Sequence, residues 1–155
     1  MYFKGHIIYK LKGKDIFRLG GDFMDKKKII QILKENGLSE IEELNYDGDG
    51  LVLRFFYDFD NPELEAARAY ANDESEDEEE GDIWFEEFFK PYLSDIAVDN
   101  VGETIEDIMD KYDIGAQYIS YGIDEDEYSY DEFIAVFYEK DSEILIEDVL
   151  EELGL

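Results

Sequence analysis

Carboxylates are so dense along most of this chain that any core has to be assembled between them. Residues 41–155 hold 38 Asp and Glu against five Lys and Arg, a net charge of −33. Residues 1–40 hold nine basic and five acidic residues, a net of +4, and the whole chain carries −29. A segment with that much charge buries a face only where its apolar residues recur at helix or strand spacing. They do recur: 45% of the 155 residues are apolar and 15% aromatic, enough for one domain or two small halves packed as one. A largely aromatic core is expected from 12 Tyr and 11 Phe against one Trp.

The same charge selects partners before contact. It repels nucleic acid and anionic membrane, and it attracts basic protein surfaces and cations. The chain has no cysteine, which excludes disulfides, thiolate metal sites and cysteine nucleophiles. The first residues, MYFKGHIIYKLKGK, show neither an uninterrupted apolar stretch nor a small-residue cleavage site. No apolar run approaches the roughly 20 residues of a membrane helix. The expectation is a soluble cytoplasmic protein.

Residues 2–11 are rich in aromatic and β-branched types and predict a strand, which 16–19 continue before the Gly20-Gly21 break. Asp22 or Asp25 caps a helix to about Asn36, with Gly37 past its end. Residues 41–47 and 51–59 predict a hairpin around Asp47-Gly48-Asp49-Gly50. Asn61-Pro62 opens a helix over 63–71. Residues 73–82 hold eight acids in ten positions and predict a solvated, mobile loop. An aromatic helix, IWFEEFF, follows from an Asp82 cap and is ended or kinked by Pro91. A short strand is expected at 96–98, a helix at 103–112, a second hairpin from 116–123 and 132–139, and a last helix over 142–153 capped by Asp141 or Ser142.

Ile32, Leu33 and Leu38 match Ile108, Met109 and Ile114 at a constant offset. Both halves, about 1–72 and 83–155 on either side of the acidic loop, then run strand, helix, strand, strand, helix. This points to a duplicated βαββα unit, with chance patterning as the alternative. Either way the class is α+β, with helices packed on mainly antiparallel strands.

Catalytic signatures are missing. General acid-base chemistry at neutral pH favours histidine, and the single histidine, His6, sits inside the first predicted strand as a structural or surface residue. No phosphate-binding GxxxxGK[ST] or GxGxxG pattern occurs. Carboxylate pairs are everywhere, so none is marked out as a glycosidase acid and base. The expectation is a non-enzyme that uses no cofactor. Asn45, Asp47, Asp49 and Gly50 match the first half of an EF-hand loop, but its twelfth position is Phe56, where a bidentate Glu is needed. A hairpin turn explains them more simply. Trp84, Phe85, Phe88 and Phe89 are expected to be core, with an interaction anchor as the alternative.

A net charge of magnitude about 2–8 keeps a small domain soluble, and this chain far exceeds it at a cost in self-repulsion. A need for the charge explains that cost, and imitation of nucleic acid is the clearest need. Carboxylates three or four residues apart on a helix stand about 5–6 Å apart at Cβ, near the spacing of successive phosphates. Glu103, Glu106, Asp107 and Asp110 form one such row. Glu143, Glu147, Asp148, Glu151 and Glu152 form another, and Asp124, Glu125, Asp126 and Glu127 add to them from the second hairpin connection. Lys26, Lys27 and Lys28 sit at the helix end that disfavours cations, so they face the acidic part of the same chain or a dimer contact.

In composition and size the chain resembles the phage anti-restriction and anti-CRISPR proteins, and the same physics serves an immunity protein against a basic nuclease toxin. The resemblance implies an acidic inhibitor that binds a basic nucleic-acid-binding enzyme. A Ca²⁺- or cation-binding protein is the second reading, and a structural or assembly protein with an acidic surface is the third.

Overall fold

The computed structural model describes residues 7–11 and 25–155. His6, the expected strand at 16–19 and the Gly20-Gly21 break lie outside the described residues.

Strand β1 (Ile7–Leu11) is followed by helix α1 (Lys26–Glu35), the hairpin β2 (Leu38–Leu44) and β3 (Leu51–Asp58), and helix α2 (Asn61–Glu74). Then come a π-helical turn (Trp84–Phe89), helix α3 (Lys90–Tyr112), strands β4 (Gly115–Ser120) and β5 (Tyr130–Tyr138), and helix α4 (Ile146–Leu153). The strands form one sheet in the order β1-β4-β5-β3-β2, and every neighbouring pair is antiparallel. The fold is α+β.

Strand alternation sorts the core into two layers. On one face Leu51, Leu53 and Phe55 of β3 and Phe133, Ala135 and Phe137 of β5 meet the buried sides of α1, α2 and α3. Phe55 and Phe133 are register partners with parallel rings 5.9 Å apart. On the other face Val52, Ile119, Ile134 and Val136 are covered by Ile146, Val149 and Leu150 of α4. Cover on both sides leaves β4 wholly buried, its polar Gln117 and Ser120 included.

Local chemistry sets the helix starts. The Asp25 carboxylate accepts the N–H groups of Lys27 and Lys28 at 3.1 and 3.3 Å. Asp60 and Glu63 form a reciprocal capping box at the start of α2, with Pro62 in its first turn.

Four expectations need correction. Residues 96–98 are not a strand; they lie inside α3. Leu93, Ala97, Val101, Ile105 and Ile108 are all buried at helical spacing across that stretch. That burial outweighs the small helix penalty of the β-branched Ile96 and Val98. Of the two outcomes expected at Pro91, an end or a kink, the end does not occur: helical backbone runs on from the π turn into α3. In the π turn before it, Lys90 N–H donates to Phe85 C=O five residues back, and Pro91 then occupies the first turn of α3, where a missing N–H is tolerated.

The acidic stretch 73–82 is not simply a solvated loop. Its first residues finish α2, and the remainder is tied down at Arg68, whose guanidinium reaches Glu79 at 2.8 Å and Glu80 at 3.8 Å. The last helix begins at Ile146 rather than 142 and has no side-chain cap of its own. With the second leading strand gone, what the halves share is α1-β2-β3 and α3-β4-β5, two helix-hairpin units meeting along the β3–β5 seam. The helices that follow diverge, with α2 on one face of the sheet and α4 on the other.

Candidate partner-binding surface

Helix α3 is amphipathic along its whole length. Its buried stripe is anchored on the sheet, so the positions between those residues must face water. Asp95, Asp99, Glu103, Glu106, Asp107 and Asp110 are all exposed there. At 1.5 Å rise per residue the row is about 22 Å long. None of the six forms an ion pair among the described residues. Glu103, Glu106, Asp107 and Asp110 were expected from sequence. Asp95 and Asp99 were missed because a strand at 96–98 interrupts the pattern; the unbroken spacing 95, 99, 103, 107 is the signal that finds them.

The ridge is held in register by packing and by a polar chain. Gly102 lets α3 approach β4 so closely that a Cβ there would sit 2.8 Å from the Tyr118 hydroxyl. Thr104 Oγ1 donates to Asn100 C=O at 3.0 Å. Asn100 Nδ2 donates to the Tyr57 hydroxyl at 3.1 Å, and that hydroxyl donates to Glu63 Oε2 at 2.6 Å, which joins α3 to β3 and α2. Burial first, then the Glu63 hydrogen bond, pushes the Tyr57 phenol well above its usual range. A narrow cleft floored by Tyr57, Asn100 and Thr104 runs along one flank of the ridge, with Glu103 and Asp107 on its rim. A more open groove between Asp99, Glu106 and Tyr118 runs along the other.

The second expected row stands apart. Because α4 packs on the opposite face of the sheet, Glu143, Asp148, Glu151 and Glu152 are exposed away from α3. Glu147 is half-buried, with Oε2 out of solvent. The third group, Asp124, Glu125, Asp126 and Glu127, is exposed on the β4–β5 connection. Asp124 folds it locally, accepting from Asp126 N–H at 2.7 Å, and Glu127 accepts from Ser129 Oγ. The next residue, Tyr128, packs on Phe85 and Phe89, and its hydroxyl accepts from Arg68 at 3.0 Å. Arg68 therefore draws the two acidic loops together. The thirteen expected residues lie on three parts of the fold: α3, the β4–β5 connection, and α4 with Glu143 just before it.

Five basic side chains among the described residues, Lys26, Arg54, Arg68, Lys90 and Lys140, are paired with acids of the same chain. Lys26 pairs with Glu43 on β2 at 3.0 Å, so that member of the lysine cluster faces an acid of its own chain. Arg54 binds Glu132 at 2.6 Å and lies over Phe56. Lys90 reaches Glu86 at 3.4 Å. Lys140 pairs with Asp113 at 2.5 Å. Asn45, Asp47 and Asp49 lie in the β2–β3 connection, and among the described residues no three acidic or histidine side chains converge as a metal site would require. Trp84, Phe85 and Phe89 are core, as their spacing predicts, whereas Phe88 is only partly buried.

Asp131 places a carboxylate in the core of the sheet. Asp131 is fully buried and accepts from Ser120 Oγ at 2.8 and 3.0 Å. Burial raises its pKa to about 6, against the opposing pull of Ser120 and of the backbone N–H groups of Gly122 and Glu132.

No helix among the described residues is long and apolar enough to cross a membrane. Comparison with protein-family models, with curated proteins and with solved structures gives no match.

Proposed function

We propose that this chain is an acidic inhibitor that acts by binding: it occupies the nucleic-acid groove of a basic protein in the cytoplasm, in place of the nucleic acid. The observation that carries this reading is the α3 ridge, six exposed carboxylates on one rigid helix with no ion pair among the described residues. About 22 Å of helix matches the rise of six to seven base pairs. A row fixed on a packed helix presents charge without an ordering cost at binding. The net charge of −29 steers a basic partner toward it.

The experiment has two steps. The chain is immobilised and used to capture proteins from a cell lysate at near-physiological salt, beside a charge-matched acidic control. The retained protein is then loaded with a fluorescent duplex or single strand, and free chain is added. The expected result is displacement of the nucleic acid by wild type, and displacement by Glu106→Lys with Asp110→Lys only at a concentration about tenfold or more higher. Retention equal to the control, or a captured protein that keeps its nucleic acid, overturns the proposal.

A further inference from the structure

The acidic ridge ends in an aromatic patch. Tyr70 on α2 is 42% exposed, an unusual position for a large ring. Its ring lies 5.2 Å from that of Tyr92 and 6.4 Å from that of Phe88. Phe88 and Tyr92 rest on the core with one side and are only partly covered. Exposed acids frame the three rings. Asp73 and Glu74 follow Tyr70 by one helical turn, Asp95 follows Tyr92 by one turn, and Glu87 precedes Phe88. None of these four acids is in an ion pair among the described residues; the nearby Lys90 is taken by Glu86. Asp95 is also the first residue of the α3 row, so patch and ridge are continuous.

The chain shows what such a combination holds. On the inner side of the same α2–α3 seam, Arg68 lies 5.6 Å from the ring centres of both Trp84 and Phe89 while Glu79 and the Tyr128 hydroxyl take its N–H groups. Rings for the guanidinium face and acids for its edge together select arginine over lysine, whose compact, strongly hydrated ammonium gains less from a ring. The outer patch combines the same two kinds of group, exposed ring faces and acids without an ion pair among the described residues. A second copy of this chain would bring another −29 to an acid-framed surface, and nucleic acid or an anionic membrane would meet the same repulsion.

We infer that the Tyr70–Phe88–Tyr92 patch receives arginine side chains of a basic protein partner and anchors it at the N-terminal end of the α3 ridge. The inference rests on the reading above that the partner is a basic protein, and it adds which cation that partner presents.

The test uses two fluorescent peptides of equal length and charge, one alternating arginine with glycine and the other lysine with glycine, titrated with the full chain at near-physiological salt. Wild type is expected to bind the arginine peptide about fivefold or more tightly than the lysine peptide. Tyr70→Leu with Tyr92→Leu keeps apolar bulk, removes two ring faces and brings the two peptides to parity. Tyr70→Phe with Tyr92→Phe keeps the faces and the preference. Glu106→Lys with Asp110→Lys weakens both peptides by a common factor. Circular dichroism and melting temperature confirm that each variant is folded. Equal binding of both peptides by wild type, lost on charge reversal, overturns this inference and leaves the acidic-ridge reading standing. An arginine preference that survives the leucine variant also overturns it. Binding of neither peptide overturns both, and a wild-type dimer dissociated by the leucine variant assigns the patch to a second copy instead.

Discussion

Gln117 on β4 holds the start of α4: its Oε1 accepts the Ile146 N–H at 3.0 Å, while its Nε2 donates to Ile144 C=O at 2.6 Å and to the Tyr138 hydroxyl at 2.9 Å. The residue in the N-cap position is Leu145, which has no side-chain acceptor. A buried glutamine from the sheet therefore supplies the cap that the helix sequence lacks, and it fixes α4 to the second face of the sheet at the same time. Gln117→Leu leaves the buried Ile146 N–H without its partner and removes the donor from the part-buried Ile144 carbonyl and Tyr138 hydroxyl. The expected loss is about 2–4 kcal/mol, read from urea unfolding monitored by circular dichroism. A loss under about 0.5 kcal/mol, within the range of a neutral surface change, would show that the cap is not needed.

Asp131 contributes to the pH dependence of stability with a sign opposite to that of an ion-paired carboxylate. Its folded pKa of about 6 lies above the ordinary 3.8. A raised carboxylate favours the fold most when protonated, so its contribution is greatest below about pH 4 and is lost as pH rises through about 6. The shift is equivalent to about 3 kcal/mol. Asp131 should therefore contribute less stability at about pH 7 than at about pH 4, and Asp131→Asn, which stays neutral, should remove that component, so that the difference between the two proteins changes across this range. Parallel melting-temperature profiles for the two proteins would remove Asp131 as the cause.

Asp113 and Lys140 pin the end of α3 to the end of β5, and the two partners are not equivalent. Asp113 sits in the left-handed region at φ 55°, closing α3, with its side chain only 12% exposed; Lys140 is 18% exposed. Lys140→Ala strands a short carboxylate that has no route to water, for an expected cost of about 2–4 kcal/mol. Asp113→Gly releases the strained backbone, worth about 1–2 kcal/mol, and leaves a long lysine able to reach solvent. The glycine variant should therefore be clearly the more stable of the two by chemical denaturation. The double variant should lose less than the sum of the single losses. Additive losses in the double variant would argue that the pair contributes no net attraction, and equal losses in the two single variants would remove the asymmetry between them.

The sequence made legible those elements whose determinants are local. The Asp25 cap, the Asp60-Asn61-Pro62-Glu63 start of α2 and Gly154 past the end of α4 are all short-range signals, and each is where its residue type predicts. What escaped depends on distant contacts. The length of α3 is set by burial of Ala97 and Val101 on the sheet, the tethering of the acidic loop by Arg68, and the start of α4 by Gln117, 29 residues before Ile146. The same limit applied to the candidate surface. Four ridge carboxylates were visible from spacing, but their separation from the α4 row is a property of the two faces of the sheet, which no local pattern encodes.

The ridge itself gives the sharpest functional expectation, because changing it should separate binding from folding. Glu106 and Asp110 are exposed, and neither has an ion pair among the described residues to lose. Replacing both by lysine changes the net charge from −29 to −25 and relieves repulsion along α3. Stability should stay within about 0.5 kcal/mol of wild type or rise slightly. Affinity for the basic partner should fall by about tenfold or more, with a shallower dependence on salt, since fewer charges engage in the complex. The matched control is Glu151→Lys with Glu152→Lys on α4, which makes the same change in net charge on the opposite side of the sheet. Isothermal titration across a salt series distinguishes the outcomes. A loss confined to the α3 variant places the interface on the ridge, an equal loss in both reduces the effect to overall charge, and a loss confined to α4 moves the interface to the other face.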